Sequence, residues 1–338
     1  MRRMNTWAAS AMALLVVGGC GEDTTGPDAG NDAMNVAVAL YEADRPVLYI
    51  QNTNGTTRTR VHFEGAVDEI EGNVPDLLPV TDAQLKAIGP MEWSPDGTRL
   101  AVVVTLAHDQ SQVVVMDRDG GNMRTASPNT QIILSDVAWS ADGRSIAYTM
   151  STRPQAQAVD VFTTDLTTNR VTRLTNTADY GRPGVTLAWS ADNAAVFVSR
   201  VAGTTGSGSL EEDVSRIDRI AVADGATTTH AADLAGPVQA IGANGAFALT
   251  LRKSGFDGAE VQRRLYREDL VAHTATALTA AAPFHWAELS STGSRIVVGE
   301  NTAAGDVALE YRVLTPAGAE VATLRGIGSG TAIVEVYY

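Results

Sequence analysis

The sequence predicts an all-β fold, a six-bladed β-propeller of four-stranded blades whose first blade is closed by the C-terminal strand. Three observations predict it. A hairpin-like motif recurs five times at nearly constant spacing, each copy is followed by two further β-like runs around a turn, and the chain body starts one strand short of a repeat and ends on a lone strand. At 338 residues the chain is long enough for one large domain. Its 44% hydrophobic and 19% charged residues can fill a substantial core, which excludes wholesale disorder and collagen-like structure.

In chain order, residues 1–19 come first. Arg2 and Arg3 precede an apolar stretch from Trp7 to Val17, followed by Gly18, Gly19 and Cys20, the layout of a secretory signal. The apolar run is shorter than the ~20 residues a permanent transmembrane helix needs. Leu15-Val16-Val17-Gly18-Gly19-Cys20 resembles the bacterial lipobox, in which the signal is cut before a lipid-modified Cys. The resemblance implies a lipoprotein with Cys20 as its new N-terminus and a lipid as its membrane anchor. Gly rather than Asp at position 21 implies the outer membrane, with the body facing the periplasm of a bacterial cell envelope. Residues 20–35 hold the lipidated Cys and a tether rich in Gly, Asp, Thr and Pro, with too little apolar content to order itself.

The body, 36–338, is the repeat. The motif runs Glu92-Trp93-Ser94-Pro95-Asp96-Gly97-Thr98-Arg99-Leu100-Ala101-Val102, and again Ala138-Trp139-Ser140-Ala141-Asp142-Gly143-Arg144-Ser145-Ile146-Ala147-Tyr148. A third copy begins at Ala188-Trp189-Ser190, and weaker ones at Ala240-Ile241-Gly242 and Glu288-Leu289-Ser290. Aligned on Ser94, Ser140, Ser190, Gly242 and Ser290, the spacings are 46, 50, 52 and 48. Each copy is an apolar run, a tight Asp-Gly or Asn turn and a second apolar run, which is a β-hairpin. Two more runs follow, as in 112–116 and 159–164, so each repeat supplies four strands. Small twisted sheets of this kind bury their faces only against neighbours, which arranges them radially. Residues 36–40, 46–51 and 57–63 give three strands without a leading one, and 331–338 supplies it. Trp93, Trp139 and Trp189, at one repeat position, read as packing between blades. Asp96 and Asp142 read as turn residues. Within the long connection 64–89, Thr81-Asp82-Ala83-Gln84 forms a capping-box pattern and predicts a short helix through Ile88.

The motif WSPDG before a short apolar strand resembles the PD40 (WD40-like) repeat of TolB-like propellers, over essentially the whole body. The resemblance implies the fold and an envelope role. TolB also carries an N-terminal α/β domain, whereas here the tether leads straight into the propeller, so TolB's particular partners are not carried over.

Composition narrows the function classes. The net charge of −14, which becomes −16 without Arg2 and Arg3, is the wrong sign for neutralising phosphates, so no nucleic-acid partner is expected. Only Lys86 and Lys253 are lysines, and no local Arg cluster is apparent in the sequence. A single Cys makes neither an intramolecular disulfide nor a Cys-based zinc site. No nucleophile elbow, H-E-x-x-H or Walker loop is present, and the five His residues are scattered over different repeats. No catalytic residue, metal ligand or cofactor is therefore assigned. Glu211-Glu212-Asp213 reads as a solvated acidic loop rather than a calcium site. The short turns share one face of the disc, and the longer, variable connections share the other, where binding is expected. There Glu92, Tyr180, Arg182 and His285 lie at or just before inner strands and are the candidate binding residues around the channel mouth. The leading expectation is a non-catalytic, lipid-anchored propeller that binds a protein or a cell-wall or glycan partner through its long-loop face. The alternatives are a hydrolase or lyase acting on a polysaccharide or peptide at the channel mouth, with His285, Arg182 and Glu92 as its first residues to test, and an accessory subunit of a transporter or peptidase.

Overall fold

The computed structural model describes residues 34–42, 45–52, 55–66, 80–106, 110–128, 136–151, 159–176, 185–204, 213–257, 260–290, 293–301, 309–324 and 333–336. Among these there are only strands and turns. Blade 1 is built from β1 (Met34–Glu42), β2 (Arg45–Asn52) and β3 (Arg58–Val61), and a two-stranded ribbon, β4 (Glu64–Ala66) with β5 (Val80–Thr81), follows it. Blade 2 holds β6 (Leu85–Trp93), β7 (Arg99–Leu106), β8 (Ser111–Asp117) and β9 (Arg124–Thr125). Blade 3 holds β10 (Val137–Trp139), β11 (Ser145–Ser151), β12 (Val159–Asp165) and β13 (Arg170–Arg173). Blade 4 holds β14 (Leu187–Trp189), β15 (Ala195–Thr204), β16 (Asp213–Ala221) and β17 (Thr227–Ala235). Blade 5 holds β18 (Val238–Ile241), β19 (Phe247–Asp257), β20 (Glu260–Asp269) and β21 (Thr274–Ala277), and blade 6 holds β22 (Phe284–Leu289), β23 (Ile296–Asn301), β24 (Leu309–Leu314) and β25 (Glu320–Leu324). The last strand, β26 (Ile333–Val336), pairs antiparallel with β1 from Val36↔Val336 to Ala39↔Ile333 and gives blade 1 its fourth strand. Closing the ring in this way joins the chain's two ends and removes two free sheet edges.

The first strand of each blade touches its counterpart in the next, β26 with β6, β6 with β10, β10 with β14, β14 with β18 and β18 with β22, so these strands line the axis. The core is divided among the blade interfaces. Trp93 packs among Leu48, Ile50 and Leu100 between blades 1 and 2, Trp139 among Val113, Val115 and Ile146 between blades 2 and 3, and Trp189 among Ala138, Leu187 and Val196 between blades 3 and 4. All three indoles are buried.

The repeated turn explains its own residues. Ser94 Oγ donates to Asp96 Oδ1 at 2.6 Å, the Thr98 amide donates to the same oxygen at 3.1 Å, and Ser94 Oγ accepts the Arg99 amide at 3.0 Å. Ser140 with Asp142 and Ser190 with Asp192 repeat the pattern at 2.7 and 2.6 Å. The next position has a left-handed backbone in five copies, with φ of 66°, 67°, 57°, 63° and 71° at Gly97, Gly143, Asn193, Gly245 and Gly293, which is why Gly or Asn stands there. At Gly245 a Cβ would also meet the Phe197 ring at 2.4 Å. Asp96 and Asp142 are thus turn residues, as the sequence predicts.

The predicted helix from Thr81 to Ile88 does not form. Gln84 donates its amide to Thr81 O at 2.9 Å, which closes a turn, and β6 starts at Leu85. Asp82 is taken up by the end of blade 1, where its carboxylate accepts the Phe63 amide at 2.8 Å and lies 2.9 Å from His62 Nδ1. The three-residue spacing of the buried Leu85, Ile88 and Met91 looks helical, but irregularities in the β6–β7 register at Leu85/Ala87 and Ile88/Met91 let a strand bury residues three apart.

Candidate functional site at the axis

Glu92 stands one residue before Trp93 on the axial strand of blade 2. Its Oε2 accepts the Trp139 amide of blade 3 at 2.7 Å, and its own carbonyl accepts Trp139 Nε1 at 2.8 Å. Asp136, at the start of blade 3's axial strand, does the same one interface further on. Its Oδ2 accepts the Leu187 amide of blade 4 at 2.7 Å and its Oδ1 the Val137 amide at 2.9 Å. Thr186 Oγ1 then donates to Val238 O at 3.3 Å, and Gln239 Oε1 accepts the Ala287 amide at 3.3 Å. An axial strand is the edge of its sheet and carries backbone groups that its own blade leaves unpaired. Polar side chains at the axis satisfy them and clip each of these blades to the next.

Glu288, on β22, completes an acidic cluster with Glu92 and Asp136, since Glu92 feels the charge of Asp136 and Glu288 feels the charges of both. Burial, against the Leu187 and Val137 amides, pushes the Asp136 carboxyl up to about 7. Burial also raises Glu92 well above the ordinary range, opposed by the Trp139 amide and reinforced by the charge on Asp136. For Glu288 burial acts first, and the charges of Asp136 and Glu92 add to it. At neutral pH such a cluster holds protons that isolated carboxyl groups would have lost.

The carboxylates occupy one arc of the ring. The residue before the motif's Trp is Glu in blades 2 and 6, and Ala138, Ala188 and Ala240 in blades 3, 4 and 5. In blade 1 the register puts Glu335 opposite Ala37, the place Glu92 holds opposite Ala101. Comparing this one position across the repeats would have found Glu288. Asp136 gives no such signal, because no other copy carries a carboxylate three residues before the motif's aromatic or aliphatic residue.

Of the residues read from the sequence as channel-mouth candidates, Glu92 lies on the axial strand of blade 2 and feels the charge of Asp136. His285 is exposed on β22, one residue from the buried Trp286. Tyr180, Arg182 and Cys20 lie outside the described residues, as do Glu211 and Glu212. Among the described residues no three His, Cys, Asp or Glu side chains are placed to hold a metal ion, and no helix is long and apolar enough to cross a membrane. The A–B and C–D turns do share one face. Arg118 donates its amide to Thr98 O at 2.8 Å, and Leu166, Val222 and Leu270 repeat the contact in blades 3, 4 and 5.

These features define a closed six-bladed propeller with an acidic, hydrogen-bonded axis, and solved structures show the same architecture. TolB from Acinetobacter baumannii is 16% identical, with a TM-score of 0.62 over 91% of this chain and 68% of that one. A chain of the nidogen/laminin complex is 10% identical, with a TM-score of 0.54 over 89% and 98%. The β-propeller domain of the trilobed protease from Pyrococcus furiosus is 12% identical, with a TM-score of 0.51 over 84% and 80%. That domain is described as having an open velcro topology, whereas here β26 closes the ring on β1. The fold is therefore that of a TolB-like propeller. No family model matches the chain, and no curated protein sequence does.

Proposed function

We propose that the chain is a non-catalytic partner-binding propeller of the bacterial cell envelope, tethered through a lipid on Cys20 to the outer membrane and facing the periplasm. Its partner is a protein or a cell-wall or glycan component, met on the face where the longer blade connections lie. The observation that carries the non-catalytic reading is the engagement of the axial carboxylates. Glu92 and Asp136 accept amides of the next blade and so serve the ring, where an acid or base working on a substrate needs an oxygen aimed at it. The lipobox-like run ending at Cys20, the polar tether and the TolB-like fold support the location.

Two measurements test this reading. Radiolabelled palmitate is expected on the wild-type protein and absent from Cys20→Ala, which moves to the soluble fraction. Crosslinking in native envelopes is expected to capture one component reproducibly. A soluble wild-type protein without label overturns the anchor, and cleavage of a polysaccharide or peptide by the purified chain overturns the non-catalytic reading.

One observation favours the hydrolase or lyase reading. A carboxyl titrating near 7, as Asp136 does, is poised for proton transfer at neutral pH. On that reading Glu92→Gln and Asp136→Asn abolish cleavage while the protein stays folded.

A further inference from the structure

The hairpin of blade 5 outgrows its blade. Strand β18 pairs with β19 only as far as Thr250, and β21 pairs with β20 only as far as Tyr266. Beyond the Arg263–Ala282 bridge the two strands run on alone to Asp257↔Glu260, with no third strand among the described residues. Where this ribbon leaves the blade, two successive cross-strand pairs are like-charged, Arg252↔Arg264 and Lys253↔Arg263. In the sequence these cations stand about ten residues apart and form no obvious cluster. The hairpin gathers them, in a chain whose net charge is −14.

Directly opposed like charges cost a hairpin stability, roughly 0.2–1 kcal/mol per pair. The fold offsets this cost at Arg252, which meets Glu268 at 2.5 Å and lies 4.3 Å over the Tyr266 ring. Arg263 Nη1 donates to Phe284 O at 2.8 Å, and Arg264 is exposed. Past the cations comes Phe256, 63% exposed at the end of the ribbon, with Lys253 Nζ 4.4 Å over its ring. Phe256 pairs in register with Val261, and Lys253/Arg263 shares the face of the buried Leu251/Leu265 pair. An exposed aromatic ring beside Arg and Lys on an element that runs on past its blade has the composition of an interface anchor.

We propose that this free end of blade 5 is a docking arm for a partner protein that presents acidic side chains around an apolar pocket. Phe256 is the anchor, and Lys253 and Arg263, on the same face of the ribbon, orient the partner. The proposal rests on the partner-binding reading and names the chemistry of that partner. A protein fits better than an anionic bilayer, because it can meet the Phe256 face from the side, away from the exposed Asp257 and its register partner Glu260 on the other face, whereas a ribbon entering headgroups end-on would bring Asp257 to the phosphates first.

The test titrates the full chain with a synthetic peptide alternating Asp or Glu with Leu, with the same peptide carrying Lys in place of its acids, and with phosphatidylglycerol vesicles. Saturable binding of the acidic peptide alone is expected. Phe256→Ala and Lys253→Glu should each weaken it at least about fivefold. Val271→Ala, 77% exposed in the C–D turn of the same blade, should leave it unchanged. Melting temperatures equal to the parent's establish that the variants fold. Failure to bind the acidic peptide, or equal binding by all variants, overturns the arm. So does vesicle binding lost in Phe256→Ala, which points to lipid, and so does self-association lost in Lys253→Glu, which points to a second copy. Crosslinking in envelopes judges the partner-binding reading separately, since it does not depend on where the partner docks.

Discussion

Carboxylates in this molecule behave in opposite ways at the axis and in the turns. Glu92, Asp136 and Glu288 are raised, chiefly by burial. Asp96 and Asp142 are lowered. Partial burial opposes the shift, but hydrogen bonds from Ser94 and Thr98 in one turn, and from Ser140 and Arg144 in the other, outweigh it. In Asp192 the Ser190 hydroxyl leads. Residue type does not decide the sign. What decides it is whether more donors or more desolvation meet the charge.

The two groups therefore pull stability in opposite directions with pH. A raised carboxyl stabilises the fold below its unfolded pKa and loses that contribution as pH climbs through the folded value, for Asp136 from about 4 to about 7. A lowered carboxyl contributes above its unfolded pKa and loses its contribution as pH falls. Together they place the stability maximum on the acid side of neutral, and a urea series from pH 3 to 9 is expected to find it there.

The largest expected effect breaks the ring that creates the axis. Deleting residues 331–338 removes β26 and opens blade 1, and a loss of about 4 kcal/mol or more is expected. A truncated protein that melts at the parent temperature contradicts closure. Next is Trp139→Ala, which empties the packing between blades 2 and 3 and removes the donor to Glu92 O, at about 3–5 kcal/mol. Trp139→Phe keeps most of the packing and is expected to cost far less. In the turns, Asp142→Ala removes the acceptor for the Ser140 hydroxyl and the Arg144 amide, at about 1 kcal/mol in neutral buffer and progressively less as acid titrates the lowered carboxyl of the parent. The smallest effect has the opposite sign. Glu288→Gln relieves repulsion at the axis, so the urea midpoint is expected to rise at pH 8 and stay in place at pH 4.5. Equal shifts at both pH values would show that charge is not the cause.

Much of the fold was legible because its cause is local. The Ser-x-Asp-Gly turn hydrogen-bonds within itself, demands a left-handed residue and stands at the same place in each repeat, so a reader of the chain can count blades from it. The interfacial Trp residues were legible for the same reason. The false helix at Thr81 shows the limit. Its capping pattern was sound as a local signal, but contacts from blade 1 claimed Asp82, and register irregularities in β6 gave a strand helical spacing. The cationic pairs of blade 5 are not legible in the chain, because the members of each pair lie on different strands and meet only through the hairpin register.

By itself, then, the amino-acid order determined the repeat, its turns, the number of blades and the strand that shuts the ring, because each depends on neighbours a few residues apart or on an unpaired apolar run that must find an edge. Only the tertiary structure decided which charges meet. Residues 92, 136 and 288 share one electrostatic environment because three blades converge at an axis, and their titration follows from the burial and backbone amides found there, which no stretch of the chain encodes alone.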